Sequence, residues 1–151
     1  MGCTLSRPSS NTVRCTGKLR PGAYSIPGNV SSQYISGLLF AHMLMEDCTL
    51  AITGPIESAP YIDMTRQAIA KFPLKGSPVI TVEGDWSNGA FWLAAQALGS
   101  PLTVTNLNPA SPQGDRAVAD WLPRLREFQT VDATDIPDLV PILAVTAAAN
   151  E

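Results

Sequence analysis

The polar residues that could do chemistry lie at the starts of apolar helix candidates. "GNVSSQYISGLLFA" sets Ser31, Ser32 and Gln33 ahead of a run that is greasy on every side, and Ser87-Asn88 and Pro137-Asp138 stand in the same place before two further runs. A helix N-terminus carries unpaired N–H groups and partial positive charge, so several such ends aimed at one cleft would attract phosphate or carboxylate. Ordinary N-capping accounts for Asp85, Ser87 and Asn88. One cap needs one side chain, so the three at Ser31–Gln33 point to a ligand. Asp138 has two readings, a favourable charge at the helix dipole or a general base.

Other catalytic signatures are lacking. "GAYSIPG" and "EGDWSNG" fit neither a P-loop nor a dinucleotide fingerprint, and no GxSxG occurs. His42 reads as a core or edge histidine, and Trp86, Trp92 and Trp121 as packing residues. Cys3, Cys15 and Cys48 form no CxxC pair, so no zinc site is expected and the thiols read as reduced.

The elements that position these residues follow from pattern. Residues 1–11 read as irregular. Strands are expected at Thr12–Gly17, Ala23–Gly28 and Cys48–Gly54, with a buried helix from Ser31 to Met45. Tyr61–Phe72 is amphipathic, with Ile62, Met64, Ala68, Ile69 and Phe72 inward, and Pro73–Pro78 is a breaker. The order then recurs. Val79–Asp85 and Pro101–Leu107 are expected strands, and Asn88–Leu98 and Gly114–Leu125 are expected helices. A third round starts at Gln129 and runs into an apolar helix over Ile136–Ala149. Gly28 matches Gly84, Ser58 matches Ser111 and Asp63 matches Asp115, at offsets of 56, 53 and 52 residues. A period in the fifties marks a duplicated supersecondary unit.

With 151 residues, 45% of them hydrophobic and 15% charged, the chain has the makings of a packed α/β protein. A net charge of −3 argues against a general nucleic-acid surface. No apolar run reaches the ~20 residues of a membrane span, and no signal-peptide pattern opens the sequence.

"PGNVSSQYISGLLFA", "SAPYIDMT", "VEGDWSNGAFWLAA", "SPQGD" and "DIPDLVPILAV" resemble, in order, segments of the 5-enolpyruvylshikimate-3-phosphate (EPSP) synthase family. The Ser-Ser-Gln and Tyr-Ile-Asp helix starts favour it over the sister family acting on UDP-N-acetylglucosamine. The resemblance implies an α/β fold of repeated βαβαββ units, the inside-out α/β barrel lobes of enolpyruvyl transferases, here truncated. It implies partial N-terminal-lobe units over 1–82 and partial C-terminal-lobe units over 83–151. It also implies transfer of enolpyruvyl from phosphoenolpyruvate to the 5-hydroxyl of shikimate 3-phosphate, with release of phosphate and without metal or organic cofactor. By position, Ser31, Ser32 and Ser58 would bind the shikimate phosphate region. Gln33 would reach both substrates and Tyr61 would line the shikimate site. Asp138 would bind the shikimate hydroxyls and accept a proton.

Against the family pattern, the Lys-Ser segment, the Gly-Asn-Ala-Gly-Thr loop and the Arg-x-Lys-Glu-Ser-Asp stretch are absent. Two internal strand pairs are also expected to be missing, after Phe72 and after Phe128. The chain therefore reads as a central fragment, cytoplasmic, with little turnover alone and with unpaired sheet edges that invite self-association. The competing reading is a non-catalytic anion-binding or structural module on the same scaffold.

Overall fold

A computed structural model describes residues 2–72 and 79–150. The expected breaker at 73–78 lies outside the described residues. The chain divides into two compact units, Met1–Ile56 and Glu57–Glu151, and each is described by itself.

The first unit holds all the strands found among the described residues. β1 (Cys3–Ser9) and β2 (Thr12–Gly17) form an antiparallel hairpin, irregular between Ser6 and Ser9 and exposed throughout. β1 corrects the expectation that residues 1–11 are irregular. Its Ser and Thr side chains hid a strand that the pairing with β2 creates. β3 (Gly22–Pro27) pairs in parallel with β4 (Cys48–Thr53), and α1 (Ser32–His42) makes the crossover. Both strands alternate in phase, Tyr24 lying beside Leu50 and Ile26 beside Ile52 on the half-buried face. Period-two patterning on a one-sided sheet requires this.

α1 was expected to be buried all round, and it is not. Ile35 is fully buried, whereas Tyr34 is 63% and Phe40 50% exposed. A two-stranded sheet can cover one face of a helix and no more, so the rest of the apolar surface stays open.

The second unit is helical: α2 (Ala59–Lys71), α3 (Trp86–Ala97), α4 (Val118–Trp121) between two 3-10 turns, and α5 (Val140–Ala148) after the 3-10 turn Pro137–Leu139. Its core joins Trp86, Ala90 and Ala94 of α3 to Val118, Leu122, Leu125, Ile136, Leu139 and Leu143. The i, i+4, i+8 spacing on α3 gives one apolar stripe. Pro123 and the short 3-10 turns break the Gly114–Leu125 helix into pieces.

The two expected strands Val79–Asp85 and Pro101–Leu107 do not form, and the third round opens without one. Residues 79–85, 101–107 and 129–135 carry no ladder. Val79 and Val82 are almost fully exposed. β-branched residues favour a pleated surface but cannot supply the neighbour that accepts their backbone hydrogen bonds. Two of these stretches still meet closely. A Cβ at Gly84 would collide with the Asn106 carbonyl oxygen, as one at Gly28 would meet Pro55 O at 2.6 Å. The two repeat-related glycines thus play one role in their separate units, each letting the chain before a helix touch a later backbone segment.

Candidate functional site

In the first unit, Ser31 is the N-cap of α1, its Oγ accepting from Gln33 N–H at 3.3 Å. Ser31 and Ser32 are half-buried and the Gln33 side chain is exposed. One serine therefore serves the helix, and Ser32 and Gln33 are surplus to capping.

In the second unit the start of α2 is built differently. Ser58 stands at the N-cap position with φ 55° and ψ 40°, a left-handed conformation costly for a residue with a Cβ, and its side chain makes no capping bond. Distant chain does the work instead. The Asp135 carboxylate accepts from Ala59 N–H at 3.2 Å, and Thr134 O accepts from Ser58 N–H at 3.2 Å. The repeat partner Ser111 is buried, its Oγ donating to Glu83 Oε1 at 2.6 Å. Ser58 is thus free of the structural duty that occupies Ser111.

One turn into α2, Tyr61 meets three other segments. Its hydroxyl donates to Asp115 Oδ2 at 2.9 Å and lies 3.4 Å from Asp138 Oδ2. Ser87 Oγ, on the first turn of α3, donates to the same Asp115 oxygen. Asp115 is 1% exposed, and its second oxygen, Oδ1, is buried without a partner among the described residues. Desolvation pushes the Tyr61 phenol well above its usual range. The hydrogen bond and negative charge of Asp115, then the charge of Asp138, push it further. Tyr61 is therefore a neutral phenol at physiological pH. Its one proton has two carboxylate acceptors, Asp115 the nearer at 2.9 Å and Asp138 at 3.4 Å, and its oxygen keeps lone pairs that can accept.

Beside this cluster lies a cleft of about 380 Å³ lined by Tyr61, Met64, Val82, Glu83, Asp85, Ser87, Gln113 and Asp115. Among the described residues no lysine or arginine is in that lining. The carboxylates there suit hydroxyl groups that donate hydrogen bonds. Gln113 braces the wall, with Nε2 donating to Glu83 Oε1 at 3.1 Å and to Gly84 O at 2.9 Å, and Oε1 accepting from Trp86 N–H at 2.8 Å. Bonds from Ser111, Gln113 and Asn108 hold the Glu83 carboxyl below its usual range.

Asp85 caps α3 as expected, its Oδ1 accepting from Ser87 N–H at 2.9 Å and Asn88 N–H at 3.3 Å. Asp138 is exposed on the 3-10 turn ahead of α5. Of the residues singled out by sequence, Tyr61 and Asp138 meet directly, and Ser58 accepts from Tyr61 N–H through its carbonyl at 3.1 Å. Sequence reasoning missed Asp115 and treated Ser87 as a capping-end residue. The available signal was "SPQGD", where Asp115 is the repeat partner of Asp63 yet follows a Gln-Gly pair in place of a helix face. Among the described residues no cluster of metal-ligating side chains occurs, and no helix is long and apolar enough to cross a membrane.

The chain is similar to the 3-phosphoshikimate 1-carboxyvinyltransferase of Clostridium acetobutylicum, 36% identical over 92% of this chain and 40% of that protein. The enzyme of the same name from Clostridium novyi is 34% identical over 95% of this chain and 42% of its own length. That from Clostridium perfringens is 36% identical over 89% and 40%. The chain thus spans about two fifths of the length of the curated relatives it matches. The first alignment is 172 positions long, more than the 151 residues of the chain, so it opens gaps in this chain opposite residues of the relative. No family model matches the chain. No solved structure matches it either.

Proposed function

We propose that this chain, which resembles the 3-phosphoshikimate 1-carboxyvinyltransferases over nearly all its length, carries the shikimate-recognising part of such an enzyme. In that reaction the 5-hydroxyl of shikimate 3-phosphate attacks C2 of phosphoenolpyruvate, and phosphate leaves from a tetrahedral intermediate. Positioning and charge stabilisation supply most of the rate in reactions of this kind.

The observation that carries the reading is the meeting of Tyr61 and Asp138 at 3.4 Å, from segments 77 residues apart. Both belong to the motifs on which the resemblance rests. In this proposal Asp138 receives a substrate hydroxyl and takes its proton. Tyr61 lines the ring site as a hydrogen-bond acceptor. Ser31, Ser32 and Ser58 take the phosphate region, and Gln33 reaches both substrates. The partition into lobe parts at 1–82 and 83–151 belongs to the same proposal, as does a cytoplasmic location.

The chain has only ten lysines and arginines, none in the Ser-Ser-Gln or Ser-Ala-Pro-Tyr motifs. Two phosphates and a carboxylate need more cationic partners than these motifs hold, so binding without turnover is expected. Calorimetric titration with shikimate 3-phosphate tests the reading. Saturable binding weakened in Asp138→Asn and Ser32→Ala supports it, and equal affinity for inorganic phosphate favours a general anion-binding module. Phosphate release from shikimate 3-phosphate and phosphoenolpyruvate at a robust rate would overturn the expectation of inactivity.

A second copy of the chain is also proposed as a partner, through the open edges of the two-stranded sheets. Sedimentation velocity across a concentration series checks this, and a strictly monomeric profile would refute it.

A further inference from the structure

We propose that Cys3 and Cys15 form a dithiol that a low-molecular-weight disulfide, such as oxidised glutathione, converts into an intramolecular cross-strand disulfide. In the β1–β2 hairpin, Leu5 lies opposite Cys15 and Cys3 opposite Gly17. Residues directly opposite share a face, and so do residues two apart on one strand. Cys3 and Cys15 therefore stand on one face as diagonal neighbours.

The residue opposite Cys3 is a glycine at φ +107°, which offers no side chain to fill the space beside the thiol. On that face Cys15 is the next β2 side chain available to it. The Cys15 thiol is raised above its usual range by local desolvation first, then by the charge of Cys3 and a side-chain hydrogen bond with it. Both cysteines are free thiols and exposed, so an oxidant of this size has access.

Diagonal Cα separations of about 7–8 Å exceed the roughly 4.4–6.8 Å that a disulfide spans, so closure draws the two strands together locally. This hairpin can adjust. Every residue of both strands is exposed, and the pairing is already irregular between Ser6 and Ser9. No packed core resists the added twist.

The exchange balances without any further reactant. One protein thiolate attacks a glutathione sulfur, forming a mixed disulfide and releasing one glutathione thiolate. The second protein thiol, once deprotonated, attacks the protein sulfur of that mixed disulfide and releases the other glutathione. Two protein thiols are oxidised and one glutathione disulfide is reduced to two thiols. The consequence is a clip on a two-stranded ribbon that is marginal by itself.

The test uses the full chain with oxidised glutathione, read by intact-mass and peptide mass spectrometry. The expected product has lost two hydrogens, contains a Cys3–Cys15 cross-linked peptide, and forms at a rate independent of protein concentration. Cys48→Ser should behave identically. Cys3→Ser and Cys15→Ser should each stop at a stable glutathione adduct. Amide exchange across β1 and β2 should slow by at least about tenfold in the oxidised chain. Stable double glutathionylation of the unsubstituted chain, pairing that involves Cys48, or cross-linking only between chains would overturn the proposal.

Discussion

The Tyr61 hydroxyl donates to Asp115 Oδ2 at 2.9 Å across a sequence separation of 54 residues. Asp115 accepts Ser87 Oγ on the same oxygen. A buried carboxylate thereby joins the first turn of α2 to the first turn of α3 and sets which way both hydroxyl protons point.

Asp115→Asn should release part of that hold. The negative charge disappears while an acceptor oxygen remains. The Tyr61 phenol should then titrate lower than in the unsubstituted chain, yet still above its ordinary range, because desolvation is the first cause of its shift. Absorbance near 295 nm followed through alkaline pH, with Tyr61→Phe to identify the signal, measures this. An unchanged titration would show that Asp115 does not govern Tyr61. Loss of a charge-assisted bond should lower stability by about 1.5–3 kcal/mol.

The same shift fixes a pH dependence. Tyr61 has its folded pKa raised, so the fold favours the neutral phenol. Its contribution to stability is whole below about pH 10, the unfolded value, and is lost as pH climbs through the higher folded value. Glu83 behaves oppositely. Its carboxyl is lowered by Ser111 first, then Gln113 and Asn108. That contribution is present above about pH 4.3 and fades as pH falls through the folded value. Urea midpoints from pH 3 to 11 should fall at both ends. Tyr61→Phe should flatten the alkaline limb and Glu83→Gln the acid limb. Limbs of undiminished steepness in these variants would contradict the assignment.

Leu139 is fully buried in the core of the second unit. Truncation to alanine should cost about 2–5 kcal/mol through lost transfer energy and a cavity. Denaturant unfolding measures it, and a cost below ~1 kcal/mol would mean that this core packs loosely.

Two glycines should respond in opposite directions. Gly84→Ala drives a Cβ into the Asn106 carbonyl oxygen, a backbone atom that cannot swing aside. Gly37 lies in α1 with nothing within 4 Å of an added Cβ. Gly37→Ala should therefore stabilise by about 0.5–1 kcal/mol, and Gly84→Ala should destabilise. Paired melting curves decide it, and a stabilised Gly84→Ala would rule out the close approach.

Local patterning made much of the fold legible. The alternation in Cys48–Gly54 announced β4, the amphipathic spacing of Tyr61–Phe72 announced α2, and Asp85 before Ser87-Asn88 announced a cap. Such features depend on residues a few positions apart. Where the reading failed, the deciding partner was elsewhere. Residues 79–85 and 101–107 have strand composition and no ladder. α1 has a core helix's composition and only a two-stranded sheet to cover it.

The candidate site divides along the same line. Sequence by itself determined which residue types open each helix, that Ser31–Gln33 hold more polar groups than one cap uses, and that Tyr61 and Asp138 belong to distinctive motifs. Only the tertiary structure decided that Asp115 is the buried acceptor between Tyr61 and Ser87. It likewise decided that Asp135 replaces Ser58 at the cap of α2, and that Cys3 and Cys15 share a face. Capping and periodicity are set by backbone geometry within one or two turns. Burial and long-range hydrogen bonds depend on which distant segment arrives, and that is settled by packing.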